Sequence, residues 1–167
     1  MSGAIIVTAT FGDGDNGWLQ EMRRSHYPAE RNQVPAHLTL FRQLPPSLES
    51  ELATRLARFA ASPPPFASIA GVMDLGEGTA LRVESDALMR IREELAEIFH
   101  GLLTPQDMAA WRPHVTIQNK VVRREARALQ KQLRATLQPR PLAIRAFAAW
   151  RYRDGPWEPI RTWPFRL

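Results

Sequence analysis

The chain of 167 residues contains no cysteine. That absence excludes disulfides, thiolate nucleophiles and cysteine-ligated zinc or iron–sulfur centres. Lysine is nearly missing as well. Of 22 cationic residues only Lys120 and Lys131 are lysines, and the rest are arginines. No apolar run approaches the length of a membrane span. The opening stretch, MSGAIIVTATFG, lacks the basic and long apolar regions of a secretory signal. The expectation is therefore a protein of the cytoplasm with no membrane partner. The sequence also lacks the zinc-protease H-E-x-x-H, the hydrolase G-x-S-x-G and the Walker phosphate loop.

What is present is ordinary in bulk and specific in detail. A hydrophobic fraction of 44% and a charged fraction of 23% suit a folded chain of one compact domain or two small lobes. The net charge is +5, carried by arginine, whose planar fork grips phosphate through two parallel hydrogen bonds. Charge alone favours the plainer explanation of a solvated, arginine-rich surface.

Patterning divides the chain into two similar halves. Residues 4–11 are β-branched and aromatic and predict a strand, followed by a glycine-rich turn and a helix over about 16–26. Residues 36–42 alternate as a second strand. Ser47 is placed as the N-cap of a helix with Leu48, Leu52, Leu56 and Phe59 on one face. A strand follows over 66–75. The second half predicts a strand over 79–84, a helix from Asp86, a strand over 114–118, a helix carrying Ala126, Leu129, Leu133 and Leu137, then a strand over 142–152 and a last one running toward Phe165. The order strand, helix, strand, helix, strand occurs twice. That repetition predicts an α+β fold of two pseudo-symmetric lobes, each an antiparallel sheet with helices, around a central groove. The lobes are expected to form one bilobal domain, the first over about residues 1–76 and the second over about 77–167, with the terminal strands free to cross between them.

The equivalent strands carry Pro35-Ala36-His37-Leu38-Thr39-Leu40 and Arg112-Pro113-His114-Val115-Thr116-Ile117. Side chains alternate along a strand, so His37 and Thr39 share one face and His114 and Thr116 another. Displacement at phosphorus needs a base to activate the nucleophile and an acid to protonate the leaving oxygen. Two imidazoles near neutral pKa supply both, and the threonine hydroxyls can donate to non-bridging oxygens. No metal or cofactor is needed for that chemistry, and none is expected. A single His-x-Thr is ordinarily a strand histidine beside a β-branched neighbour. Two of them on equivalent strands, in a chain with four histidines, are not explained that way. Symmetry does not say which imidazole is the acid; His37 as acid and His114 as base is the working assignment.

The two motifs and their order resemble the 2H phosphoesterase superfamily, especially the 2′-5′ RNA ligase-like proteins and the RNA 2′,3′-cyclic phosphodiesterases. The segments His26-Tyr27-Pro28-Ala29-Glu30-Arg31-Asn32 and Asp154-Gly155-Pro156-Trp157-Glu158 look like a bacterial subgroup of that superfamily. The resemblance implies a bilobal α+β fold and catalysis by His37, His114, Thr39 and Thr116. It implies hydrolysis of a 2′,3′-cyclic phosphate on RNA ends or a related cyclic nucleotide, and 2′-5′ ligation of RNA ends as a further activity of some members; separately, the chain is expected to act as a monomer. RNA-ligase-type members often continue the second motif into an arginine. Here Gln118, Asn119 and Lys120 follow Ile117, so a point charge at Lys120 stands in for a fork. The alternative from another class is a non-catalytic binder of RNA ends or nucleotides that uses the same groove.

Remaining signals are weaker. Of Phe11, Trp18, Trp111, Trp150, Trp157 and Trp163, the two expected to border the groove and contact substrate are Phe11 and Trp111. Arg31 and Arg112 flank the motifs and are placed on phosphate. Gly12-Asp13-Gly14-Asp15-Asn16-Gly17 matches G-x-G-x-x-G literally, but two aspartates would face a pyrophosphate, so it is read as a turn leading into a helix. His26 and His100 sit near predicted helix ends and are assigned to capping or surface roles.

Overall fold

The computed structural model describes residues 3–32 and 34–167. Among these residues are eight strands and five helices. They are β1 (Ala4–Phe11), α1 (Asp13–His26), β2 (Leu38–Leu44), α2 (Glu49–Ala60), β3 (Ser68–Asp74), β4 (Thr79–Glu84), α3 (Asp86–Ile98), α4 (Pro105–Met108), β5 (His114–Gln118), α5 (Arg123–Thr136), β6 (Arg140–Pro141), β7 (Ile144–Tyr152) and β8 (Glu158–Pro164).

The strands form two four-stranded antiparallel sheets, in the orders β2-β1-β7-β8 and β5-β4-β3-β6. Each central strand, β1 or β4, pairs on one side with the next strand of its own half. On the other side it pairs with a later strand of the opposite half in one case and an earlier one in the other: β7 beside β1, and β3 beside β4. The expected boundary near residue 76 therefore does not follow the sheets. β3 belongs to the second sheet, and β7 and β8 return to the first.

Several boundaries differ from the sequence-based expectations for local physical reasons. Helix α1 begins at Asp13, inside the glycine-rich turn. Asp13 and Asp15 complement the positive end of the helix, and the Asp15 carboxylate accepts from the Ala143 amide at 2.7 Å and Arg140 Nη2 at 2.8 Å. β2 begins at Leu38 because Pro35 has no N–H and the Ala36 amide donates to Gln20 Oε1 at 2.6 Å. Ser47 does not cap α2; it lies in a 3₁₀ turn over Pro46–Leu48, and the helix starts at Glu49. Ser85 caps α3, its hydroxyl accepting from the Leu88 amide at 3.1 Å. The short α4 lies in an expected loop, capped by Thr104 with Pro105 in its first turn.

The apolar faces of both sheets meet the helices in one core, which includes Ile5, Val7, Leu38, Leu40, Phe41, Leu56, Leu81, Leu95, Val115, Ile117 and Phe147. The motif strands β2 and β5 are edges of their sheets, and edges leave backbone groups unpaired. Each edge is covered by the opposite half. Arg23 on α1 reaches β5, donating from Nη1 to the Thr116 carbonyl at 2.7 Å. In return Trp111 Nε1 donates to the Thr39 carbonyl at 3.0 Å, and Arg92 Nε on α3 donates to the Leu40 carbonyl at 2.6 Å. The buried Asp107 carboxylate accepts from the backbone N–H groups of Arg42 and Gln43, each at 2.9 Å.

Candidate active site

The register places the two motifs equivalently. Thr39 lies opposite Thr8 on β1, and Thr116 lies opposite Ala80 on β4. Just after each His-x-Thr the pairing register shifts by one residue: between Val7 and Thr8 against β2, and between Thr79 and Ala80 against β5. These bulges re-aim everything downstream. With strict alternation Phe41 would point the way Thr39 does. Instead Leu40 and Phe41 are both buried, and Arg42 turns into the cleft. In the second half Ile117 and Gln118 are both buried, and Asn119 turns into the cleft. Gln118 closes its amide against the Thr79 hydroxyl at 2.9 Å.

Between the sheets lies a cleft of about 1190 Å³. His37, Thr39, His114 and Thr116 all line it. His37 stands immediately before β2, and His114 is the first residue of β5. The His37 Nδ1 lies 2.7 Å from the Pro35 carbonyl, and the His114 Nδ1 lies 2.7 Å from the Arg112 carbonyl. A carbonyl only accepts, so each Nδ1 carries hydrogen and each Nε2 is left for chemistry. Burial pushes the His37 imidazole down from 6.5 to about 4; the charges of Arg23, His114 and Arg42 act in the same direction and the Pro35 hydrogen bond opposes them. Burial also lowers His114, with Arg42 and Arg112 adding to the effect and the Arg112 carbonyl opposing it. Both rings are thus neutral at pH 7 before an anion enters.

The other expected site residues divide. Arg31 and Lys120 line the cleft. Lys120 is held at φ 61°, a left-handed conformation uncommon outside glycine, with its amide bonded to Asn119 Oδ1 at 2.9 Å. Phe11 does not border the cleft; it is buried among the core residues, on the β1 face opposite Ala4 and Ile6, which do line it. Trp111 is also outside the lining: its indole spends its N–H on the Thr39 carbonyl and supports the motif strand from behind. Arg112 is exposed and outside the lining, and it meets the site through its carbonyl.

The cleft lining also includes residues that the sequence reading does not place there, among them Arg23, Arg42, Asn119, Tyr152 and Trp157. Trp157, in the β7–β8 hairpin, sets its ring edge-on to His37 with centroids 5.0 Å apart. Trp150 backs it at 6.1 Å and is fixed by a 3.0 Å bond from Nε1 to the Thr8 hydroxyl. An arginine five residues past His37 was the available signal for Arg42, hidden by the assumption of unbroken alternation. Among the described residues no group of three or more histidine, aspartate and glutamate side chains is arranged to hold a metal ion. No described helix is long and apolar enough to cross a membrane.

The fold is similar to that of TT0787 of Thermus thermophilus, at 18% identity, 98% coverage of each chain and a TM-score of 0.62. It is similar to E. coli LigT complexed with 3′-AMP, at 16% identity, full coverage of both chains and a TM-score of 0.61. A third solved structure, a phosphoesterase, matches at 17% identity over both whole chains with a TM-score of 0.63. At these identities the likeness is one of fold. No curated protein matches the chain by sequence. The family model of the 2′-5′ RNA ligase superfamily matches residues 11–156. Two antiparallel sheets bearing paired His-x-Thr motifs on one cleft, together with that match, make this chain a member of the 2′-5′ RNA ligase superfamily.

Proposed function

We propose that the protein is a metal-independent cyclic phosphodiesterase that opens a 2′,3′-cyclic phosphate on an RNA end or a related cyclic nucleotide. Membership of the superfamily supports phosphoesterase or ligase-type chemistry in general. The observation that carries the finer reading is the matched pair of imidazoles, each anchored through Nδ1 to a backbone carbonyl and each beside a threonine in the same cleft. The LigT structures with 3′-AMP and with phosphate support a ligand of nucleotide and phosphate character.

In the proposed step, His114 Nε2 takes a proton from water as the water oxygen attacks phosphorus. The bond from phosphorus to one ribose oxygen breaks, and His37 protonates that oxygen. The products are a phosphomonoester and a free hydroxyl, and the proton on His114 returns to His37 through solvent. Thr39 and Thr116 hydroxyls donate to the non-bridging oxygens, where charge builds. Burial makes the His37 imidazolium a strong proton donor for its type. The anionic substrate offsets the nearby cations and loads that proton on binding.

The test is turnover of 2′,3′-cyclic nucleotides and cyclic-phosphate RNA ends in EDTA, with product identification. Conversion to a phosphomonoester is expected. Binding of these compounds without conversion would move the protein to the class of non-catalytic binders. A joined 2′-5′ product from two RNA ends would make it a ligase.

A further inference from the structure

We propose that Arg42 is a phosphate-gripping residue of this cleft, supplying from the first half the bidentate cation that the second motif lacks. The proposal rests on the phosphodiesterase reading for its chemistry and on independent geometry for its residue.

Arg42 and Asn119 each stand five residues after the motif histidine, and each follows a β-bulge that turns it into the cleft. The two halves therefore present different groups at equivalent places: a charged fork on one side and a neutral amide on the other. The backbone under Arg42 is fixed. Its N–H donates to the buried Asp107 carboxylate, as does that of Gln43. Arg92 holds the Leu40 carbonyl two residues earlier. The side chain, by contrast, is uncommitted. Among the described residues no carboxylate pairs with its guanidinium, whereas Arg23 spends its donors on Thr116, Val34 and Asn32, and Arg153 faces Glu158. Its charge bears on both imidazoles, so it lies within electrostatic reach of both sides of the site. A free fork on a rigid base, in the cleft that both histidines line, has the shape to bind two oxygens of one phosphoryl group. Lys120, as a point charge, does not offer that shape.

Charge and fork separate experimentally in Arg42→Lys and Arg42→Gln. Inorganic phosphate binding to the free protein is measured by calorimetry, imidazole titration by NMR, and turnover on a 2′,3′-cyclic nucleotide. Arg42→Lys should leave both imidazoles titrating as in the unmodified protein, because the charge remains. It should still weaken phosphate binding and lower kcat by about tenfold or more. Arg42→Gln should raise both imidazole pKa values and lower kcat by about 10²–10³-fold, as for loss of one transition-state donor. Full phosphate affinity in Arg42→Gln, or equal affinity in Arg42→Lys and the unmodified protein, overturns the proposal. The binding measurement does not depend on turnover. If the unmodified protein binds phosphate through Arg42 but turns over no cyclic phosphate, the functional reading fails and the assignment of Arg42 stands.

Discussion

At the level of single residues, the two histidines were legible because chemistry and periodicity agreed: a titratable ring two residues before a hydroxyl, twice, on strands that alternate. Their partners were less legible. Trp157 covers His37 only because β8 returns to the first sheet, and nothing local in Asp154-Gly155-Pro156-Trp157 announces that return. Phe11 stands at a strand end, but its place in the alternation puts its ring in the core. His37→Ala and His114→Ala are each expected to lower turnover by about 10²–10⁴-fold, with smaller losses for Thr39→Ala and Thr116→Ala. The roles of the two rings separate on a phosphodiester with a p-nitrophenyl leaving group, which needs no proton. That substrate should restore much of the rate to His37→Ala and little to His114→Ala; the opposite pattern exchanges acid and base. For the free protein, kcat/KM should follow a bell with its acid limb near pH 4 and its upper limb below 6.5, because burial lowers both rings. A pH–rate series on a cyclic nucleotide checks this, and an upper limb above 6.5 would contradict it.

At the level of elements, the helices and strands followed from periodicity, but the bulges did not. A bulge is a mismatch between two strands, and one strand's sequence does not reveal it. Leu40-Phe41 reads as one inward and one outward residue; pairing with β1 makes both inward. The edge covers are equally non-local. Arg23 is 93 residues from the carbonyl it serves, and it also donates from Nη2 to the Val34 carbonyl at 3.0 Å and from Nε to Asn32 Oδ1 at 3.2 Å. Replacing it with Met would remove the donors to two part-buried carbonyls at the cleft wall, at a cost of about 1–3 kcal/mol. Urea unfolding should register that loss. Arg24→Met, one residue along on the exposed side of α1, should change stability by less than about 0.5 kcal/mol.

At the level of the whole molecule, the duplicated order was visible in the sequence and a crossing of the terminal strands was allowed for, but the pairing of β3 with β4 was not legible, since patterning carries no pairing information. The observed pairing predicts that residues 1–76 expressed alone do not fold, because β3 would lack β4 and β1 would lack β7. Circular dichroism and the dispersion of NMR amide signals would show an independent lobe if one formed. The two partly buried cleft imidazoles set a pH dependence for the whole fold. Their folded pKa values lie below the unfolded value of 6.5, so the unfolded chain binds more protons as pH falls. Stability should be fully present above pH 6.5 and decline as pH drops toward 4. His37→Gln, which carries no titrating ring, should flatten that decline in urea midpoints measured from pH 7 to 4.

Reciprocal strands also bear on how a ligand arrives. Two lobes joined by a single linker open and shut like a clam, and each encounter then waits on closure. Here each sheet holds a strand from the other half, and Arg23, Arg92 and Trp111 stitch the facing edges together. The walls of the groove are tied to each other by these bonds, and both imidazoles and both threonines line it without any ligand. Capture of a nucleotide should be a single collision-limited event, its observed rate rising linearly with concentration in stopped-flow tryptophan fluorescence, to which Trp157 beside His37 contributes, and showing no slower phase that levels off.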